Sequence, residues 1–290
     1  MNLHVSTFSG EDHRRRKRAA KLTQSLCGKE TGMKEPLYEK IESLLDLDLN
    51  NSYKVLDIGC GRGELLGHLS RTIGSKSFLV GIDEIEDSIR SAKDNYPHIE
   101  FRREKFIDSL GFEDNSFDVV VSVDTLECIP NKTALLDEIF RILKPGGKVL
   151  FAHWDWDTQI YNSNNKAIVR NFVAAFSDWQ QDWMDDSDGQ MGRKLWGIFE
   201  SSDKFKGKIT SYTLLETEYK EGKYGFDRLN DLFGLVESGN IELTEYEIIC
   251  SEMQSLSDLN QYFYSVNSYI YVGEPHNKSF KRDLRFATAT

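Results

Sequence analysis

From Tyr53 onward, short apolar runs alternate with stretches whose apolar residues recur every three to four positions. Val55-Leu56-Asp57-Ile58 has the pattern of a short buried strand, and Glu64 to Ile73 carries Leu65, Leu66 and Leu69 on one helical face. Phe78-Leu79-Val80-Gly81-Ile82 predicts a second strand, Glu84 to Asn95 a second helix, and Ile99 to Arg102 a third strand. Val119-Val120-Val121 is β-branched throughout and predicts a fourth. Leu135, Leu136, Ile139, Phe140 and Leu143 mark a helix that Pro145-Gly146-Gly147 stops, and Lys148 to Ala152 opens a fifth strand. Strands alternating with helices of this length call for right-handed crossovers and a parallel sheet, so the fold class is α/β, doubly wound, with helices on both faces. Ahead of this core, Leu37, Ile41, Leu44 and Leu45 predict a lead-in helix.

Beyond Trp156 the character changes. Ile168, Val169, Phe172, Val173 and Phe176 predict an amphipathic helix, followed by a stretch rich in Trp, Asp and Gly as far as Lys204. Ile209 to Tyr219 predicts a long strand, Phe226 to Val236 a helix, and Tyr262 to Val272 a closing strand. Tyr262, Tyr264, Tyr269 and Tyr271 alternate along it as sheet packing. The chain thus divides into a mobile basic arm (1–35), a core (36–158), a helical lid (159–207), a segment completing the sheet (208–273) and a tail (274–290).

With 290 residues, 39% hydrophobic and 29% charged, the chain can bury a substantial core. No apolar run approaches the ~20 residues that cross a bilayer, so no membrane partner is expected. A net charge of −11 argues against nucleic acid, because phosphate binding needs a basic face. Arg14-Arg15-Arg16-Lys17-Arg18 is a local exception and reads as a solvated arm. Cys27, Cys60, Cys128 and Cys250 are scattered without metal-ligand spacing, the usage of free thiols in a reducing, cytoplasmic setting.

Chemistry concentrates in Asp57-Ile58-Gly59-Cys60-Gly61-Arg62-Gly63, between the first strand and its helix. Glycines there let the backbone turn sharply and approach a ligand, while the helix N-terminus presents free N–H groups. A nicotinamide-dependent oxidoreductase uses the related GxGxxG, but the spacing here is GxGxG with Asp57 just ahead of it. A carboxylate at that point suits a cationic amino group and would repel a pyrophosphate. Asp83, ending the second strand, is placed to accept both hydroxyls of a ribose.

Taken with Gly81-Ile82-Asp83, Asn115-Ser116-Phe117-Asp118-Val119-Val120, Leu126-Glu127 and Arg141-Ile142-Leu143-Lys144-Pro145-Gly146-Gly147, this loop resembles the class I, Rossmann-like, S-adenosylmethionine-dependent methyltransferase family. The resemblance spans roughly residues 37 to 156, about two-fifths of the chain. It implies a seven-stranded sheet, mostly parallel with an antiparallel last strand, and S-adenosyl-L-methionine as methyl donor. Carried over by position, Asp57, Gly59, Cys60, Gly61 and Gly63 hold the methionine end, Asp83 the ribose, and Val123 adjoins the cofactor. Family members often place an acid near the adenine amino group; the matching position here is Phe106, so ring stacking from Phe106 and the N–H of Ile107 take its place, with Asp108 as an acid in a slipped register. Asp118 reads as a strand-entry residue and Glu127 as a structural hydrogen-bonding residue in the loop.

Methyl transfer from a sulfonium is an in-line displacement, and a base is needed only for an acceptor that carries a proton. The string after the fifth strand, Ala152-His153-Trp154-Asp155-Trp156-Asp157-Thr158, lies where such an acceptor would sit. If strand geometry continues, His153, Asp155 and Asp157 share one face and Trp154 and Trp156 the other. His153 is the expected base, Asp155 its orienting partner, and Trp154 and Trp156 a wall for a planar or cationic acceptor. The same acids could instead cap a helix over indoles packed in the core, and no metal is assigned. Asp155-Trp156-Asp157-Thr158 is similar to strings in small-molecule methyltransferases of microbial secondary metabolism. In the lid, Trp179, Trp183 and Trp196 with Asp182, Asp185, Asp186 and Asp188 suit an organic acceptor with basic or polar groups. The expected partner is therefore a small-molecule acceptor receiving methyl on O or N; a non-catalytic S-adenosylmethionine-binding regulatory subunit and a protein methyltransferase are the alternatives.

Overall fold

The structure is a computed structural model whose described residues are 34–74, 76–105, 109–181 and 184–276. Nearly all of the basic arm, most of the tail, Phe106, Ile107, Asp108, Asp182 and Trp183 lie outside them. Helix α1 (Glu35–Leu45) precedes β1 (Lys54–Ile58), α2 (Glu64–Thr72), β2 (Phe78–Asp83), α3 (Glu86–Asn95), β3 (Glu100–Arg103) and β4 (Phe117–Val123). A 3₁₀ turn at Leu126–Cys128 leads to α4 (Lys132–Ile142), β5 (Leu143–Tyr161), α5 (Lys166–Ser177), α6 (Met191–Ser201) and β6 (Phe205–Glu216). The chain then forms α7 (Tyr224–Asp231), α8 (Phe233–Glu237), α9 (Leu243–Asp258) and β7 (Tyr264–Pro275).

The strands make one seven-stranded sheet in the order β3-β2-β1-β4-β5-β7-β6. β1 to β5 pair in parallel, with Asp57 level with Gly81 on one side and Val121 on the other. β7 runs against its neighbours, as the partner positions show. Thr158 meets Asn267 where Asn162 meets Phe263, and Lys204 meets His276 where Thr213 meets Asn267. The seven-stranded, largely parallel sheet implied by the family resemblance is therefore present.

Parallel strands are covered on both faces and so read as continuous apolar runs. Leu56, Ile58, Val80, Ile82, Val120, Val149 and Phe151 supply the sheet's part of the core, and Leu135, Leu136, Ile139 and Ile142 of α4 pack on it. Each such side chain contributes ~1.5–3 kcal/mol by leaving water. This burial holds the strand ends, and the polar groups at their tips, in fixed register.

Two compact units are distinguished. The larger comprises 35–159, 177–214 and, among the described residues, 266–276; it contains the sheet and the parallel-strand crossovers. The smaller comprises 160–176 and 215–265. The latter has its own aromatic core, in which Tyr161 meets Tyr264 and Tyr219 meets both Phe226 and Tyr262. Glu216 accepts the N–H groups of Tyr224 and Gly225 and so caps α7. The predicted lid segment 159–207 is divided between the two units, and the sixteen residues of α9 form a helix to which the sequence pattern assigned no element.

Helix α1 is clasped to α2 by charge. His68 is buried, with Nδ1 2.8 Å from Glu35 Oε1 and Nε2 2.7 Å from Glu42 Oε2, and Arg71 also reaches Glu35. His68 holds the Glu35 carboxyl below the usual range, burial opposing it and the Arg71 charge assisting. A depressed carboxyl stabilises the fold above its unfolded pKa of about 4.3 and ceases to do so as pH falls through the folded value. Glu35→Gln is therefore expected to lower the melting temperature near neutral pH. The gap from wild type, followed by circular dichroism, should close as pH falls from about 5 toward 3.

Candidate active site

β1 ends where Gly59 takes φ +73°, turning the chain out of the sheet. The N–H groups of Gly59 and Cys60 both donate to the Ile82 carbonyl, at 2.8 and 3.0 Å, so the turn is fastened to the tip of β2. A Cβ at Gly59 would lie 1.9 Å from Thr125 Oγ1, so a larger residue is excluded by contact as well as by conformation. Gly61, at φ +53°, differs: a Cβ there meets nothing within 4 Å, so this part of the loop presents open backbone. Gly63 donates to the Cys60 carbonyl and leads into α2.

Asp83 completes the loop. Its Oδ2 accepts the Gly61 N–H at 2.9 Å and its Oδ1 the Ile85 N–H at 2.8 Å. Burial pushes this carboxyl up, and the two N–H groups draw it back. Asp57 is buried more deeply. Burial, reinforced by the charges of Asp83 and Glu64, pushes its carboxyl up to about 8. The Cys60 thiol is buried beside them and pushed up by burial and by both acids, which leaves it a packing group and no nucleophile. Val123 is half-buried at the end of β4, level with Ala152 of β5.

The loop after β4 joins this site to the middle of β5. Thr125 Oγ1, against Gly59, donates to the Val123 carbonyl at 3.2 Å. Asp124 adopts φ +57°, donates its N–H to the Ala152 carbonyl and accepts the Trp154 N–H on Oδ1. The parallel register thereby continues one step past the strand and sets Asp124 against His153, with Nδ1 3.7 Å from Asp124 Oδ1. The imidazole is 1% exposed. Its Nδ1 lies 2.8 Å from the Trp154 carbonyl, which can only accept, so Nδ1 carries the proton. Nε2 is buried without a hydrogen-bond partner among the described residues and lies 3.9 Å from Glu127 Oε2.

Strand geometry does continue through the string, as β5 runs to Tyr161. Asp155 and Asp157 both face Arg193, and the rings of Trp154 and Trp156 lie 6.3 Å apart. The orienting role expected of Asp155 is not what the geometry gives. Asp155 is fully buried and gripped by Arg193, Nε to Oδ2 and Nη2 to Oδ1, each at 2.5 Å. A bidentate guanidinium neutralises that carboxylate in place, so it has no reason to serve His153. Trp154 and Trp156 are buried rather than forming an exposed wall, and Tyr212 packs near Trp154. Three acids of the loop ahead of α6 are matched by lysines: Asp185 by Lys105, Asp186 by Lys132 and Asp188 by Lys194. That loop is tied to β5, where Trp156 donates its N–H to the Gly189 carbonyl and Gln190 reaches Asp157.

Glu127 is the residue whose surroundings the sequence did not disclose. It is 6% exposed within the 3₁₀ turn, and burial pushes its carboxyl up to about 7. His153 and a hydrogen bond from Trp156 hold it down, while Asp124 and Asp188 raise it.

Buried Asp57 and half-buried Asp83 thus stand at neighbouring strand tips beside the open backbone of Gly61. Comparisons with known proteins give the class. A family model described as a methyltransferase domain matches residues 49–216, more than half of the chain. The demethylmenaquinone methyltransferase of Staphylococcus aureus is 30% identical over 179 residues, covering 58% of this chain and 74% of that protein. A phthiotriol/phenolphthiotriol dimycocerosates methyltransferase of Mycobacterium ulcerans is 36% identical over 131 residues, covering 42% of this chain and about half (48%) of that protein. Among solved structures, the YcgJ protein of Bacillus subtilis shares the fold with a TM-score of 0.53 at 13% identity, over 83% of this chain and 98% of that one. The chain belongs to the methyltransferase domain family. It is a class I S-adenosylmethionine-dependent methyltransferase.

A cation arriving beside Asp57 favours its ionised form. Binding of S-adenosylmethionine between about pH 5.5 and 7, where the donor's own amino group is already charged, is therefore expected to release a proton. Titration calorimetry in two buffers of different ionisation enthalpy measures this, and the affinity should climb with pH across that range.

Proposed function

We propose that this methyltransferase carries methyl to an O or N atom of a small organic acceptor. The carrying observation is His153, a buried imidazole whose Nδ1 is occupied by the Trp154 carbonyl and whose Nε2 is left as a proton acceptor. It stands within β5, one residue past the pairing of Val123 with Ala152, linked through Asp124 and Thr125 to the Gly59 loop. Relatives that this chain resembles are named for a menaquinone precursor and for phthiotriol lipids, both small molecules, which supports the acceptor class.

S-adenosylmethionine supplies an electrophilic methyl group on a positively charged sulfur. In this reading Asp57 balances the donor's positive charge, the backbone of Gly59, Gly61 and Gly63 lies against its amino-acid end, and Asp83 fixes the loop and accepts from the ribose. Phe106 and Ile107 are proposed for the adenine, and Cys60 and Val123 for packing around it. His153 takes up at Nε2 the proton that an O–H or N–H acceptor gives up on methylation. Trp154 and Trp156 keep water from that nitrogen, while Asp155 acts through Arg193 to hold the end of β5 against α6. Among the described residues no helix is long and apolar enough to cross a membrane.

The test is a screen of small-molecule extracts with donor labelled in its methyl group. Label is expected in low-molecular-weight products, formed about a hundredfold or more slowly by His153→Ala. Label found only in polypeptide, or equal rates for the two proteins, would reject the corresponding part of the proposal.

A further inference from the structure

We propose that residues 185–190, ahead of α6, are a gate: a strap drawn across the strand tips that opens each time S-adenosylmethionine enters or its product leaves. This rests on the reading of the strand tips around Gly59 and Asp83 as the cofactor site.

The path of the chain carries the inference. Gly189 accepts the Trp156 N–H and Gln190 reaches Asp157, so one end of the segment is fixed to β5. Four residues before Gly189, Asp185 meets Lys105, Oδ2 to Nζ at 2.6 Å, two residues past the end of β3. β2, β1 and β4 lie between β3 and β5 in the sheet, which sets the two about 19 Å apart at ~4.8 Å per strand. A segment with one end at β5 and the other at β3 therefore passes over the tips of the three strands between them. Further contacts mark its course. Asp188 acts on the Glu127 carboxyl in the turn after β4, and Asp186 meets Lys132, whose Nζ also donates to the Ile129 carbonyl at the end of that turn. At the far end Lys105 holds Glu84 as well, the residue after Asp83, at 3.1 Å. The Gly59 loop is fastened to the same strand tip through the Ile82 carbonyl.

The two ends are attached differently. At β5 the hold includes a backbone hydrogen bond. Toward β3 and α4 it consists of side-chain ion pairs, in which Lys105, Asp185 and Asp186 are each about half-exposed. Exposed pairs hold weakly, and salt screens them. The segment is thus hinged at β5 and latched at β3 and α4 by contacts that thermal motion breaks. Lys194 pairs with Asp188 from α6 itself, six residues on, and so does not span the strand tips.

A gate and a ligand contact give different kinetics. Loosening a gate speeds entry and exit alike and leaves the affinity unchanged, whereas removing a contact with the ligand speeds exit alone. Stopped-flow fluorescence of S-adenosylhomocysteine binding reads both rate constants. This ligand carries no net charge near neutral pH, so salt acts on the latch and not on the encounter. In Lys105→Gln and in Asp185→Asn both constants are expected to rise about two- to fivefold with Kd unchanged, while Lys194→Gln matches wild type. Raising sodium chloride from about 0.05 to 0.5 M should speed both steps in wild type, and less so in Lys105→Gln. Rates that neither the latch variants nor salt alter would overturn the proposal. Faster exit with weaker binding and unchanged entry would overturn it too. If the variants fail to fold, the wild-type salt series decides alone. No binding of S-adenosylhomocysteine at all would defeat the cofactor reading and the gate with it; binding whose rates ignore salt would defeat the gate only.

Discussion

The structure turns on two carboxylates kept out of water at the tips of adjacent parallel strands. Asp57 and Asp83 are brought together because β1 and β2 pair in register and end side by side. Burial raises both carboxyls, with the charges of Asp83 and Glu64 adding to the rise at Asp57 and that of Glu84 to the rise at Asp83, and that cost needs a return. Part comes from the backbone: Asp83 accepts the N–H groups of Gly61 and Ile85, so the acid is also the clip that shapes the glycine loop. In the proposed site the remainder is met by positive charge, which a sulfonium nucleoside brings. Loop shape and ligand charge are in this sense one property of the site.

The acceptor side follows from the same parallel geometry one strand further along. β4 ends level with Ala152, partway along β5, and Asp124 extends the register by a step, so the residues just past β4 meet His153 within β5. His153 and Glu127 are neighbours for that reason and for no local one. Asp155, two residues from His153 in sequence, is drawn to Arg193 on α6, because a buried carboxylate takes the nearest guanidinium that can grip both oxygens. Asp185, Asp186 and Asp188 ahead of α6 behave alike, each matched by a lysine.

This contrast marks what the sequence could disclose. Strands β1, β2 and β4 and their helices were legible because uninterrupted apolar runs and helical periodicity are local signals of burial. The loop Gly59 to Gly63 was legible because positive φ and the contact with Thr125 demand glycine. Helix α9 escaped because only Ile249, Met253 and Leu256 of its residues are buried, too narrow a stripe to stand out. Glu127 was visible as part of a motif yet seemed a structural hydrogen-bonding residue, since its approach to His153 depends on strand pairing. Asp155 looked like an orienting acid because alternation places it two residues from His153; nothing near it in the sequence announced Arg193. Phe106 and Ile107, assigned to the adenine by position, lie outside the described residues and stay a proposal.

The most direct measurement of the central claim is equilibrium binding of S-adenosylmethionine to wild type and to Asp83→Asn, a change that keeps the side chain's size and removes its charge. The account predicts an affinity lower by about a hundredfold or more, in keeping with the loss of a buried, charge-assisted contact, with the far-ultraviolet spectrum unchanged. Equal affinity in the two proteins would contradict it, for the acid at the tip of β2 would then be no part of what grips the nucleoside.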